Sequence, residues 1–179
     1  MKVLVVVDMQ KDFIDGALGS PEAQAIVPNV INKIRKYKEE DGVILFTRDT
    51  HFDDYMKTQE GKFLPVPHCI VGTDGWLIPD EIWPDDVEAT VVDKYTFGRF
   101  HIADDVWGAC GRTYGTYDIE SIEVVGLCTD ICVVSNVLIL KSVFHEIPII
   151  VDSSCCAGVS PAKHEAALEV MRSCQIEVR

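Results

Sequence analysis

Basic residues are scarce in this chain. Lys and Arg number 16 against 29 Asp and Glu, a net charge of -13 over 179 residues, and no stripe of Lys, Arg and aromatics is present that could follow a phosphate backbone. That argues against nucleic acid and against an anionic membrane as partners. Long apolar runs are missing too. The opening Met1-Lys2-Val3-Leu4-Val5-Val6-Val7 meets Asp8 at once, too early for a signal peptide, and no later run approaches the roughly 18 residues of a spanning helix. A soluble, cytoplasmic protein is expected. The 7 cysteines include the adjacent pair Cys155-Cys156 but no paired Cys-x-x-Cys units, and an odd count suits a reducing compartment better than a disulfide framework or a structural zinc knuckle. Repeats and low-complexity segments are absent. Residues 1–179 therefore read as one domain, with 47% hydrophobic content to fill one core.

The apolar residues that are present alternate between strand and helix periodicity. Residues 3–7 form a continuous β-branched run of the kind parallel sheets bury on both faces, and Asp8 stands at its carboxyl end. After a polar loop from 10 to 22, Val27, Val30, Ile31, Ile34 and Tyr37 recur at helical spacing with Pro28 in the first turn, and Asp41-Gly42 leads into a strand over 43–47. Residues 52–76, with Phe52, Tyr55, Phe63, Pro65, Pro67, His68 and Trp76 among them, read as one long loop between regular elements, a length that usually marks function. Further strands are expected at 90–92, 122–125, 147–151 and 175–178. The stretch 106–117 is too glycine-rich for one assignment, a helix followed by a turn being one reading, and Ser160-Pro161 opens a last helix. This order predicts an α/β fold with an open, mostly parallel sheet and helices on both faces. Such sheets bind ligands beyond the carboxyl ends of their strands. Asp8, Asp49 with His51, Lys94 and Cys132 each follow a different predicted strand, so they converge on one edge.

Cys132 follows the strand at 122–125 and falls in the first turn of a helix, where the N–H groups and helix dipole would favour thiolate over thiol. A buried structural cysteine is the alternative. With Asp8 to take the thiol proton and Lys94 to hold the carboxylate, the three form a nucleophile with its base and orienter. Asp49, His51, Glu60 and His68 supply two carboxylates and two imidazoles, a mixed N/O set suited to Zn, Fe(II) or Mn, against the alternative of a hydrogen-bonded loop. Phe13, Tyr95, Phe97 and Phe100 could wall a planar substrate or simply belong to the core. His101, His145 and His164 read as ordinary histidines.

These residues resemble the cysteine-hydrolase branch of the isochorismatase-like superfamily, and nicotinamidases in particular. The resemblance spans nearly the whole chain. It rests on Val5-Val6-Val7-Asp8-Met9-Gln10-Lys11-Asp12-Phe13, Thr47-Arg48-Asp49-Thr50-His51, Pro67-His68-Cys69-Ile70-Val71-Gly72-Thr73, Lys94 with its aromatic neighbours, and Gly126-Leu127-Cys128-Thr129-Asp130-Ile131-Cys132-Val133. It implies a Rossmann-like domain with a six-stranded sheet, a homo-oligomer, and an Asp–Lys–Cys triad at Asp8, Lys94 and Cys132. It also implies an oxyanion hole from the backbone N–H groups of Cys128 and Cys132 beside a cis Leu127–Cys128 bond. A divalent ion, zinc first and iron or manganese next, would be held by Asp49, His51, His68 and, at a variable fourth position, Glu60. Pro65 stands where nicotinamidases commonly carry a Trp that stacks on the substrate ring; Phe13, with Tyr95 and Phe97, is then left to contact the substrate, and Trp76 is a possible substitute wall.

The expected activity is hydrolysis of nicotinamide to nicotinate and ammonia by a metal-containing cysteine amidohydrolase. One alternative is a cysteine hydrolase acting on another small-molecule amide or ureido compound. Others are a thiol redox or sensor protein using Cys128 and Cys132 or Cys155-Cys156, and a catalytically idle binding domain.

Overall fold

The computed structural model of the protein describes residues 1–111 and 119–179. Along the chain these form β1 (Lys2–Val7), α1 (Lys11–Ile14), α2 (Pro21–Glu39), β2 (Val43–Asp49), α3 (Gln59–Phe63), β3 (Thr90–Lys94), α4 (Ile102–Ala109), β4 (Ser121–Leu127), α5 (Val134–Val143), β5 (Ile149–Ala157), α6 (Pro161–Ser173) and β6 (Glu177–Val178). The six strands lie in the order β3-β2-β1-β4-β5-β6, and every pairing is parallel. The unbroken apolar run of β1 is explained by burial on both faces. Val3, Val5 and Val7 pack toward α4, α5 and α6, while Leu4 and Val6 pack toward α2 and the Ile78–Ile82 region. Among the described residues, no helix is long and apolar enough to cross a membrane.

Several element boundaries differ from expectation, each for a local reason. The first long helix starts at Pro21 rather than near Pro28, because the Ser20 hydroxyl caps it by accepting from the Ala23 N–H (3.0 Å). Pro28 is interior but exposed, so the carbonyl its ring leaves unpaired faces water. Residues 52–76 are not wholly irregular: α3 lies within them, capped by Thr58 through the Gly61 N–H. The third strand runs on to Lys94, and the fifth continues through Asp152-Ser153-Ser154 to Ala157. The helix expected within 106–117 is α4, displaced toward the N-terminus, and the turn expected after it falls largely outside the described residues.

One glycine is dictated by the strand packing at the carboxyl edge of the sheet. Gly126 has φ +119°, and a Cβ there would lie 2.1 Å from the Val7 carbonyl oxygen, so only glycine lets β4 run this close to β1 near its carboxyl end.

A buried acid on β4 ties the sheet to α2. Glu123 accepts from the Tyr37 hydroxyl (2.8 Å) and pairs with Lys33 (2.6 Å), whose ammonium also reaches Asp152 (2.8 Å). Replacing Lys33 by Met leaves Glu123 without its counter-ion, with an expected loss of about 2–3 kcal/mol in urea unfolding. The control is Lys38→Met, which removes an exposed pair with Asp86 and should leave the urea midpoint nearly unchanged. Equal effects of the two variants would contradict this account of Glu123.

Candidate active site

The carboxyl ends of β1, β2, β3 and β4 meet at one edge of the sheet, and the side chains placed there interlock. Asp8 follows β1 with φ +48°, turning the main chain out of the sheet; Asp is among the residues that tolerate this left-handed conformation. Its Oδ1 accepts from the Thr47 hydroxyl (2.7 Å) on the neighbouring strand. Lys94, the last residue of β3 and only 1% exposed, extends across the strand ends and is surrounded by three groups. Its Nζ lies 2.7 Å from Asp8 Oδ2, 2.9 Å from Asp49 Oδ1 and 3.4 Å from Cys132 Sγ. Its contact with Asp8 Oδ2 is the shortest of the three, so one carboxylate oxygen of Asp8 is held by Thr47 and the other faces the ammonium.

Cys132 does not sit in an ordinary α-helical first turn. The chain passes from β4 through a cis Leu127–Cys128 peptide into a single π-helical turn, Thr129–Val133, before α5 begins. The Val133 N–H reaches back five residues to the Cys128 carbonyl (3.1 Å). The thiol faces the ammonium of Lys94 and is 95% buried. Burial pushes it well above its ordinary range; Lys94 pulls it down, and the Asp8 and Asp49 charges push it further up. Burial thus opposes the thiolate that a helix-start position would favour. Burial also raises Asp8 above the usual carboxylate range despite Lys94. Lys94 itself stays protonated, since Asp8, Cys132 and Asp49 together overcome the effect of burial.

Beside this trio, Asp49, His51, Glu60 and His68 bring one ligand atom each to within 4.8 Å of one another. His51 Nε2 lies 2.9 Å from Asp49 Oδ2 and 3.6 Å from Glu60 Oε1; His68 Nε2 lies 3.6 Å and 3.8 Å from the same two oxygens. His68 Nδ1 donates to the Val66 carbonyl (2.8 Å), leaving Nε2 as a lone-pair donor toward the cluster. His51 Nε2 is buried and makes no hydrogen bond despite its proximity to Asp49. Two carboxylate oxygens and two imidazole nitrogens, one of them an orphan aimed at the centre, fit a divalent cation. Asp49 lies well below the usual carboxylate range: burial opposes this, and the nearby His51 and His68 rings with the Lys94 charge outweigh it. Asp49 belongs to both groups, with Oδ1 on Lys94 and Oδ2 among the imidazoles.

Both groups open into one cavity of about 270 Å³, walled chiefly by Phe13, Leu64, Phe97, Leu127, Ile131 and Val159 and reached by Cys128, Cys132, Asp49, Glu60 and His68. Of the aromatics expected to contact a substrate, Phe13 and Phe97 line it and Tyr95 does not. Tyr95 is exposed and stacks on Phe52, because it points away from the strand end that carries Lys94. Phe100 is 82% exposed and also lies outside the lining. Trp76 supplies no wall either: its indole N–H donates to Thr50 Oγ1 (2.9 Å), with the Arg48 guanidinium over its ring. Sequence reasoning passed over Thr47 and Gln10, both fully buried polar residues at strand ends; their signal was polarity at positions where a β-branched run had just ended.

The isochorismatase domain model matches residues 2–179 of the chain. The nicotinamidase/pyrazinamidase of Mycobacterium tuberculosis is 26% identical over 191 aligned positions, covering 99% of this chain and 98% of the relative. Among solved structures, the pyrazinamidase of Pyrococcus horikoshii in complex with zinc superposes with a TM-score of 0.80 at 28% identity, covering 99% of this chain and 98% of the other. N-carbamoylsarcosine amidase of Thermoplasma acidophilum superposes at 0.77 with 26% identity, covering 99% and 95%. With the wholly parallel sheet and the strand-end cluster of acid, amine and thiol, the domain match places this chain in the isochorismatase family.

Proposed function

We propose that the substrate of this isochorismatase-family amidohydrolase is nicotinamide, cleaved to nicotinate and ammonia through a thioester on Cys132. The observation that carries this reading is that a nucleophile set and a metal-type donor set share one apolar cavity and share Asp49. Asp8 Oδ2 takes the Cys132 proton as Sγ attacks the carboxamide carbon, and the Cys128 and Cys132 N–H groups receive the developing oxyanion. Asp8 then returns the proton to the departing nitrogen, C–N breaks and ammonia leaves. The same carboxylate draws a proton from water, which attacks the thioester, releases nicotinate and restores the thiol. Lys94 stays protonated throughout and keeps Asp8 oriented. A divalent cation held by Asp49, His51, Glu60 and His68, zinc by the character of this donor set, would supply a fixed positive centre for the pyridine nitrogen and so position the ring.

The ureido-acid alternative is less well supported. Lys94 is the one basic side chain at the strand-end cluster and is already surrounded by Asp8, Asp49 and Cys132, while Lys and Arg are absent from the described cavity lining. A substrate carboxylate would find no basic side chain in that lining to pair with, only Asp49, Glu60 and the His68 ring of the metal-type cluster. The redox alternative is opposed by burial of the Cys128 thiol, pushed up to about 12, which makes it a poor resolving thiolate. Ammonia release from nicotinamide, benzamide and N-carbamoylsarcosine tests these readings. Turnover of nicotinamide that is lost on chelation and restored by zinc, with benzamide at least ~10-fold slower, is expected. Turnover of the ureido acid without nicotinamide hydrolysis would overturn the proposal.

A further inference from the structure

Gln10 occupies a position where the sheet has run out of main chain. The parallel register of β1 with β2 ends at Val7 opposite Thr47, and the left-handed Asp8 then carries the backbone away. Two residues further along β2, Asp49 has lost the neighbour that β1 gave to the residues before it. The carboxamide of Gln10, fully buried, fills that place. Its Oε1 accepts the Asp49 N–H (2.7 Å), and its Nε2 donates to the Asp49 carbonyl (2.9 Å) and to the Trp76 carbonyl (2.9 Å). A side-chain amide here makes the pair of hydrogen bonds that a strand would make.

Much of the rest of the ligand-bearing segment is fixed by main chain. The Thr50 N–H donates to the Lys94 carbonyl (2.9 Å), the His51 N–H to the Cys69 carbonyl (2.9 Å), and the Val71 N–H to the His51 carbonyl (2.9 Å). Beside His68 the Asp12 carboxylate accepts the Cys69 N–H (2.7 Å), whereas at Asp49 it is the Gln10 side chain that takes both main-chain groups. Asp49, the residue it holds, carries the oxygen facing both imidazoles and the oxygen facing Lys94.

We propose that Gln10 is a positioning residue for the metal centre, its carboxamide standing in for the missing length of β1 and fixing the Asp49 carboxylate toward His51 and His68. The inference rests on the reading that Asp49, His51, Glu60 and His68 bind a divalent cation. Two variants separate it from a general contribution to stability. Gln10→Met keeps the length and removes all three bonds; Gln10→Asn keeps the amide and is one methylene too short to reach. Zinc affinity by competition with a chromophoric chelator should fall about 10- to 100-fold in both, the range typical when a group behind a ligand is lost. Thermal unfolding of the zinc-free proteins should change far less than the shift that zinc induces, and activity lost at limiting zinc should return at saturating zinc. Should Gln10→Met not purify as a folded protein, Gln10→Asn decides. Zinc affinity within about 2-fold of the parent protein in the folded variants overturns the role of Gln10 and leaves the metal reading standing. If the parent protein itself binds no zinc, manganese or iron, the metal reading fails and the inference with it.

Discussion

Ammonia release by the Cys132→Ala protein is expected to fall by about 10⁴-fold or more, while the folded protein binds metal as the parent does. The magnitude follows from removing the atom that forms the covalent intermediate, a loss the remaining groups replace only in small part. Metal binding should survive because none of Asp49, His51, Glu60 and His68 is touched. Cys132→Ser tests the thiol more finely. The raised Asp8 is poised to accept a proton from sulfur, and an alcohol lies far higher, so serine should recover little of the activity. The pH profile of the parent protein carries the same chemistry. Since burial raises Asp8 from its ordinary 3.8, the acid limb of kcat/KM should lie above the range of a free aspartate. Ammonia release retained in the alanine protein, measured with contaminating activity excluded by mass spectrometry and a second purification, would remove Cys132 from the mechanism.

Much of this geometry was legible because the chemistry lies at strand ends. A β-branched run that stops on a charged residue, as residues 3–7 stop on Asp8, is readable as a buried strand delivering a side chain to the sheet edge; Asp49 and Lys94 close β2 and β3 with a charge in the same way, and Cys132 lies one turn beyond β4. Glu60 was harder, since its approach to the imidazoles depends on α3, a short helix capped by Thr58 within a segment of loop-like composition. Gln10 and Glu123 were not identified. Each is a polar residue satisfied by partners 39 or more positions away, and local sequence does not record such pairings. The helix-start argument for the thiol is likewise local, whereas the burial that opposes a thiolate comes from the strand ends and the cavity wall closing around Cys132. Tyr95 shows the limit of adjacency, being next to Lys94 in sequence and turned to the surface in the fold.

Lys94→Met is expected to remove activity and to weaken the fold, and the pH dependence of that weakening identifies the cause. In the parent protein one ammonium serves two carboxylates and a thiol within a site that is almost wholly dry. Methionine fills the space of the stem but leaves Asp8 and Asp49 facing each other without a counter-ion, a loss of about 3–5 kcal/mol at neutral pH by analogy with other broken buried pairs. Removing Lys94 takes away a charge that lowers both carboxyls, so Asp8, already raised by burial, rises further. A carboxyl whose folded value lies above its unfolded value binds more protons folded than unfolded. Its contribution is then most favourable at low pH and is lost as pH climbs from the unfolded toward the folded value. The stability gap between Lys94→Met and the parent protein should therefore narrow as pH falls toward about 5 and widen toward 8, followed by urea unfolding at fixed ionic strength. A steric defect from methionine would give a gap independent of pH over that interval. That result would show Lys94 filling space at the strand ends, with no part in balancing the charge of Asp8 and Asp49.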